Sequence, residues 1–165
     1  VILTDGGVNT FPDLEKKADI LENAAMCFQA LGYETINAAC ICGAEQVNPK
    51  IQSTVDAAGL VEYARSGELG LPCVIEGPIA FDVAFDPHAA AHKKIDSKIT
   101  GETDIVIFPN MEAGNIMGKS WIHLCKCRWA GIVLGATNPV ILGSRADTPE
   151  IKLNSIALAC LAGRS

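Results

Sequence analysis

The chain has 165 residues, of which 49% are hydrophobic and 19% are charged, and its formal net charge is -6. This much apolar material can bury one sizeable core and excludes a disordered or linker-like segment. The acidic balance argues against nucleic-acid binding, because no basic stripe is present to neutralise a phosphate backbone. No apolar run reaches the roughly 18 to 20 residues that span a bilayer, so we expect a cytoplasmic protein without membrane contact.

The residue types favour small side chains over aromatic ones. Only 5% of the residues are aromatic and 15 are glycine, which fits helices packed closely on a largely parallel sheet. The seven cysteines include the segments 40–42 and 125–127, whose spacing is not that of a zinc knuckle. We expect free thiols and no metal site, with Cys27, Cys73 and Cys160 in apolar surroundings.

The first half of the chain alternates between apolar strands and amphipathic helices. Val1 to Leu3 predicts a short buried strand, and a loop with two glycines follows it up to Thr10. A helix is predicted from Pro12 and Asp13 to Gly32, with Lys17 on its polar side. A strand over residues 35–41 and a helix over residues 49–65 come next.

The second half continues this alternation. We predict a strand over residues 73–76 that is broken at Gly77-Pro78, then a helix from Asp86. The clearest strand is the apolar run 104–108, and a helix through Lys119 follows it.

The last predicted elements are two strands and a helix. The strands cover residues 130–135 and 139–142, and the apolar helix runs from Thr148 to Leu161. The whole pattern is typical of an α/β fold, a layered sheet with flanking helices. In such folds ligands bind in the loops that follow the strands.

Polar residues after the strands are therefore candidates for binding. Asp5 and Asn9 follow the first strand, and Asn115 and Lys119 follow the strand 104–108. They could contact substrate or phosphate. The alternative is that they form turns and helix caps.

Ser144 and Arg145 lie between an apolar run and a helix, where backbone N–H groups also converge. An arginine can hold two phosphate oxygens at once, and a serine can donate to a developing oxyanion. The alternative is a turn serine beside a solvated arginine.

Three stretches, in this chain order, resemble the phosphate acetyl/butyryltransferase family and together cover nearly the whole chain. They are residues 4–9 with 12–14 and 17–20, residues 76–82 with 108–116, and residues 139–147 with Glu150, Lys152 and 155–159. Residues 47–50 and 144–147 are more similar to the butyryltransferase branch.

The resemblance implies an architecture and a reaction. The fold would be like that of the isocitrate and isopropylmalate dehydrogenases, with two α/β domains and a cleft between them. Residues 1 to about 130 would be the second, inserted domain, and residues 131–165 would return to a first domain whose amino-terminal part is absent. The reaction exchanges CoA and phosphate on a short, butyryl-like acyl group. It implies CoA and phosphate as substrates, no tightly bound cofactor, and a homodimer or higher oligomer.

The resemblance also assigns roles to individual residues. It places the catalytic serine and arginine of the family at Ser144 and Arg145. The aspartate proposed as the base in the acetyltransferase branch falls on Ile151, which cannot take a proton, so Asp147 and Glu150 are the substitutes. Both could instead cap the last helix, since Asp147 with Glu150 fits a capping box and Thr148 is a good N-cap.

Other functions remain open at this level. A phosphate acetyltransferase and a non-catalytic fragment that binds CoA or phosphate are the alternatives. A metal- and NAD-dependent decarboxylating dehydrogenase on the same fold is disfavoured, because neither Tyr33 nor Tyr63 lies in the tyrosine–lysine setting of those enzymes.

Overall fold

The computed structural model describes residues 1–163, which form a parallel four-stranded sheet covered by helices. The strands are β1 (Ile2–Thr4), β2 (Ile36–Ile41), β3 (Cys73–Ile79) and β4 (Ile105–Ile107). The helices are α1 (Leu14–Ala30), α2 (Gln52–Arg65), α3 (Phe81–Phe85), α4 (Pro87–Lys93), α5 (Met111–His123) and α6 (Pro149–Ala162). The sheet order is β1-β4-β2-β3, which confirms the predicted α/β class.

Strand β4 lies inside the sheet, between β1 and β2. All three of its side chains, Ile105, Val106 and Ile107, are buried. A strand that is covered on both faces has no polar side, which explains why this segment is a continuous apolar run in the sequence.

The two faces of the sheet carry separate cores. Side chains alternate along β2, so Ala38 and Cys40 face one cluster while Ala39 and Ile41 face the other. Helices α1 and α2 complete the first cluster, and α3 and α4 contribute to the second. The strands that carry the loops are therefore held in place by an apolar core on each face of the sheet.

Strand β3 corrects one prediction about the chain. Gly77-Pro78 does not break the strand, which continues to Ile79. Strand β3 lies at the edge of the sheet and pairs only with β2. A proline has no N–H to give to a ladder, and an edge strand needs donors on one side only.

The two strands predicted after residue 129 also need correction. Residues 130–135 and 139–142 form no strand, and they meet only in an antiparallel bridge between Val133 and Val140. The two N–H···O bonds of that bridge measure 2.7 and 3.0 Å. A pair of segments without a third strand is marginal in water, so the ladder does not extend.

Helix α6 leaves much of its apolar surface uncovered. Leu153 is 65% exposed, and Ile156 and Leu161 are also exposed, as is Leu142 in the preceding segment at 68%. The helix packs against α1 on another side. None of the helices within residues 1–163 is both long and apolar enough to cross a membrane.

All seven cysteines are free thiols in the structure. Cys27, Cys40 and Cys42 are buried, and burial raises the pKa of each thiol. Burial also raises the pKa of Cys73 to about 12. Cys160 is exposed, contrary to the predicted apolar surroundings, because it lies on the uncovered helix α6.

Candidate functional site

The loops that follow the strands share one edge of the sheet because all four strands are parallel. Residues 5–13 follow β1, residues 42–51 follow β2, and Pro109 with Asn110 follows β4. We call this the carboxyl edge. Ligands of open α/β sheets bind there, so it is the candidate site.

Asp5 anchors the loop after β1. Its Oδ1 accepts the N–H groups of Gly7 at 2.7 Å and Val8 at 3.0 Å, and its Oδ2 accepts the N–H and the side-chain amide of Asn9, both at 2.7 Å. Burial opposes the charged form, but these donors together outweigh it and lower the pKa of Asp5. The Asp5 carboxylate is thus committed to shaping its own loop.

Asn115 joins this loop to helix α5. Its Nδ2 donates to the backbone oxygen of Gly6 at 2.9 Å. The preceding residue, Gly114, is packed so closely that a Cβ atom there would lie 2.4 Å from the backbone oxygen of Asp5. The structure therefore brings Asp5, Asn9 and Asn115 together through a backbone contact that only glycine permits.

Lys119 lies one helical turn beyond Asn115 on α5. It is exposed, and no hydrogen bond or ion pair of its ammonium group occurs within residues 1–163. Lys119 is therefore a cation without a partner among the described residues, on the helix that Asn115 joins to the loop after β1.

Ser144 and Asp147 form a turn before α6. Asp147 Oδ2 accepts the N–H of Ser144 at 2.7 Å, and the N–H of Asp147 donates to the Ser144 carbonyl at 3.1 Å. The Ser144 hydroxyl accepts only a long bond, 3.4 Å, from the N–H of Ala146. Arg145 is exposed and has no partner among the described residues. The turn therefore presents a hydroxyl and a guanidinium next to each other in sequence.

A capping box between Asp147 and Glu150, the alternative to a catalytic role for these residues, does not form at the start of α6. Thr148 is the N-cap, and its Oγ1 accepts the N–H of Ile151 at 3.3 Å. Asp147 is occupied by Ser144 instead, and Glu150 Oε1 lies 3.6 Å from Nε of Arg128. Proline at the next position fixes the first turn and favours capping by Thr148.

The candidate residues therefore form two groups. Asp5, Asn9 and Asn115 meet at the carboxyl edge, and Lys119 lies one turn further along α5. Residues 144–150 belong to the turn before α6 and its first turn. No hydrogen bond or ion pair connects the two groups in the described part of the chain.

Two charged contacts were missed by the sequence reasoning. Lys17 was placed on the polar side of α1, but it is buried and its Nζ donates to Asp56 Oδ2 on α2 at 2.5 Å. Lys17 is three residues after Leu14 and four before Leu21, so helical spacing alone puts it on the apolar stripe.

The second contact joins the end of α4 to the loop after β2 and to α3. Lys93 Nζ donates to Glu45 Oε1 at 2.7 Å and to Asp82 Oδ1 at 3.0 Å. The hydrogen bond from Lys93 is the main cause that lowers the pKa of Asp82. Lys93 and Glu45 are 48 positions apart, so no local sequence pattern pairs them.

The donors at the carboxyl edge do not resemble a metal site. Within residues 1–163 no group of three or more histidine, cysteine, aspartate or glutamate side chains lies together in a way that could hold an ion. Lys119 and Arg145, which have no partner in the described part of the chain, carry the charge that suits an anionic substrate.

Comparison with known proteins gives matches along almost the whole chain. Residues 1–160 match the family described as phosphate acetyl/butaryl transferase. The chain is 42% identical over 161 residues to a phosphate butyryltransferase of Clostridium acetobutylicum, covering 98% of this chain and 53% of that protein. It is also 42% identical over 161 residues to a phosphate acetyltransferase of Rhizobium meliloti, covering 98% of this chain and 51% of that protein.

A solved structure agrees with these relatives. The branched-chain phosphotransacylase from Enterococcus faecalis V583 superposes with a TM-score of 0.88 at 30% identity, over 97% of this chain and 57% of that one. The chain thus spans about half the length of the curated relatives it matches.

Proposed function

Because the chain belongs to the phosphate acetyl/butaryl transferase family, we propose that the full-length protein converts a short-chain acyl-CoA and phosphate into an acyl phosphate and CoA. The observation that carries this proposal is the family match over residues 1–160, which includes both groups of candidate residues. CoA and phosphate are then substrates, and the reaction needs no tightly bound cofactor.

The acyl group is proposed to be of butyryl size. The similarity of residues 47–50 and 144–147 to the butyryltransferase branch supports this choice. Phosphate acetyltransferase is the second candidate, since a relative with that name is equally identical to this chain.

We assign chemical roles to the side chains whose polar groups have no strong partner among the described residues. Arg145 has no partner within residues 1–163, so its guanidinium is available to hold phosphate oxygens. The Ser144 hydroxyl is free to donate to the carbonyl oxygen of the acyl group as that oxygen becomes negative. Lys119 provides a second cation for an anionic substrate.

The base that takes the thiol proton is proposed to be Asp147, with Glu150 as the substitute. Asp147 accepts only one hydrogen bond in the described residues, from the Ser144 N–H, which leaves its other oxygen open. Asp5 and Asn9 are proposed to act on substrate through the loop that they shape, because the Asp5 carboxylate binds backbone N–H groups of that loop and the Asn9 side chain.

The architecture proposed for the full-length protein has two domains, like those of the isocitrate and isopropylmalate dehydrogenases. Residues 1 to about 130 would be the second domain, and residues 131–165 would return to the first. The uncovered apolar surface of α6 and Leu142 supports this, because an apolar helix face needs another surface to cover it.

We further propose a cytoplasmic homodimer or higher oligomer, which light scattering on the full-length protein would test.

The central experiment is an assay of thiol release by the full-length protein. Butyryl-CoA and phosphate should together release CoA, which a thiol reagent detects, and acetyl-CoA should be used more slowly. Omission of phosphate should stop the release. Release that ignores phosphate and requires NAD with a divalent metal would instead identify a dehydrogenase, and binding of CoA without turnover would identify a non-catalytic protein.

A further inference from the structure

An ion pair lies in the interior between α1 and α2. Lys17 Nζ is 2.5 Å from Asp56 Oδ2, and the two side chains are only 5% and 9% exposed. The other carboxylate oxygen of Asp56 accepts Nε2 of Gln52 at 2.8 Å. Both oxygens of Asp56 therefore have fixed donors.

The position of this pair connects it to the carboxyl edge. Lys17 is one turn into α1, which follows the loop 5–13, and Asp56 is one turn into α2, which follows the loop 42–51. The bond ties together the beginnings of two helices whose preceding loops both line the carboxyl edge. A small cavity beside the pair, about 10 Å³, extends to Cys42 and Pro109 at the ends of β2 and β4.

A direct role in binding or chemistry does not fit this environment. The cavity has room for about one water molecule, so a phosphate cannot reach the ammonium group of Lys17. The neighbouring Cys42 thiol donates to the Ser53 carbonyl at 3.2 Å, and burial raises its pKa, so it is a poor nucleophile.

A buried ion pair is also a poor source of stability. Desolvation of the two charges offsets most of their attraction, and apolar residues of similar size often stabilise a fold as well or better. An ion pair differs from an apolar pair in being directional, because its hydrogen bond fixes the distance and register of the helices that carry it.

We propose that Lys17 and Asp56 are positioning residues, which hold the loops 5–13 and 42–51 at the spacing needed for acyl transfer. This inference rests on the proposed function. It explains why a lysine stands in the apolar stripe of α1, where leucine or methionine would pack without a desolvation cost. Displacement of a site by about 1 Å can lower turnover about 100-fold, so the spacing of these loops matters for catalysis.

The test compares two double variants of the full-length protein. Lys17→Met with Asp56→Leu replaces the pair by apolar side chains, whereas Lys17→Gln with Asp56→Asn keeps a neutral, directional hydrogen bond. We expect both to unfold near the wild-type denaturant concentration. The apolar variant should lose kcat about 10- to 100-fold with little change in KM, and the amide variant should recover most of that loss.

The exposed neighbouring pair supplies the matched control. Lys16 directly precedes Lys17, and its Nζ lies 2.6 Å from Asp19 Oδ2. Both of these side chains are half exposed. Lys16→Met with Asp19→Asn should leave kcat unchanged. If the apolar interior variant has wild-type kcat, or if kcat in all variants follows stability alone, the positioning role is wrong.

Amide hydrogen exchange gives a readout that does not depend on activity. The N–H groups of Gly7, Val8 and Asn9 are held by Asp5, and they should exchange faster in the apolar variant but not in the amide variant. Equal exchange in both variants would overturn the inference even if the wild-type protein has no acyl-transfer activity. Absence of activity in the wild type would count against the proposed function alone.

Discussion

Gly114 of α5 meets Asp5 of the first loop backbone to backbone, since a Cβ atom at Gly114 would lie 2.4 Å from the Asp5 carbonyl oxygen. The contact involves backbone atoms, which cannot rotate away as the end of a side chain can. Helix α5 and the loop after β1 are therefore packed directly against each other, and Asn115 adds a hydrogen bond to the same loop.

The first prediction follows from this contact. Gly114→Ala should lower the free energy of unfolding by about 1 to 3 kcal/mol, because the new methyl group forces α5 away from the loop. Turnover should fall with it. Gly7→Ala is the control, since a Cβ there meets no atom within 4 Å. Urea unfolding of both variants checks the prediction, and equal stability would contradict it.

The second prediction concerns pH and the loop carboxylate. The pKa of Asp5 lies below its usual 3.8 in the folded chain, so folding favours the charged form. Its contribution to stability is then complete above about pH 4 and is lost as the pH falls through the lowered folded-state pKa. Asp5→Asn should destabilise the protein at pH 7, because the amide cannot accept all four donors.

The test for Asp5 is the pH dependence of that difference. Unfolding titrations of wild type and Asp5→Asn should show stabilities that approach each other between pH 4 and the lowest pH at which both proteins remain folded. A difference that is constant over this range would show that the Asp5 charge plays no part.

The third prediction separates the base from the helix cap. Asp147→Asn keeps an oxygen that can accept the Ser144 N–H, and it leaves the Thr148 cap untouched. Turnover should nevertheless fall about 10²- to 10⁴-fold at neutral pH if Asp147 is the base. Part of the loss should be recovered at high pH, where the thiolate forms unaided.

Two further variants complete that comparison. Thr148→Ala should lower stability by about 0.5 to 2 kcal/mol with nearly normal turnover, as expected for loss of an N-cap. Glu150→Gln tests the substitute base. Normal turnover in both Asp147→Asn and Glu150→Gln would show that the proton goes elsewhere.

The fourth prediction concerns phosphate. Arg145→Ala should raise the KM for phosphate much more than that for acyl-CoA, because a hydrogen bond to a charged group is worth about 1.5 to 3 kcal/mol. Arg65→Ala on α2 is the matched control, since its guanidinium is exposed and, among residues 1–163, forms an ion pair with Glu62 alone. Steady-state kinetics at varied phosphate concentration measure this change in KM. An unchanged KM for phosphate would show that Arg145 does not bind it.

The fifth prediction tests whether α6 is covered in the full-length protein. Leu153→Ala should then cost about 2 to 5 kcal/mol, the usual value for a buried leucine, although Leu153 is 65% exposed here. Met26→Ala on α1, another exposed apolar residue, should change stability by less than about 0.5 kcal/mol. Equal effects of the two substitutions in thermal unfolding would argue against a domain that covers α6.

The sequence predicted most of the fold because each strand and helix has a strong local signal. The run 104–108 predicted a buried strand, and Asp13 with Pro12 marked the start of α1. The predictions were wrong where the outcome depended on a neighbour. Residues 130–135 have strand-like composition but no ladder to join, and β3 tolerates Pro78 only because it is an edge strand.

The candidate site was predictable only in part for the same reason. The position of Asp5 and Asn9 after a strand indicated a loop at the carboxyl edge. Their mutual hydrogen bonds, however, depend on the path of the backbone between them. The link from Asn115 to Gly6 joins residues 109 positions apart, and no local pattern encodes such a pair.

Because some cysteines are buried and others exposed, their reactivity with thiol reagents reports when the protein unfolds. An alkylating reagent at neutral pH should modify Cys125 and Cys127 within the native state, since these side chains are exposed and lie outside α6. Cys40 lies in the core with a strongly raised pKa, so it can react only after the sheet separates from α1 and α2. Mass spectrometry after timed alkylation would therefore time the unfolding of the sheet without any engineered probe.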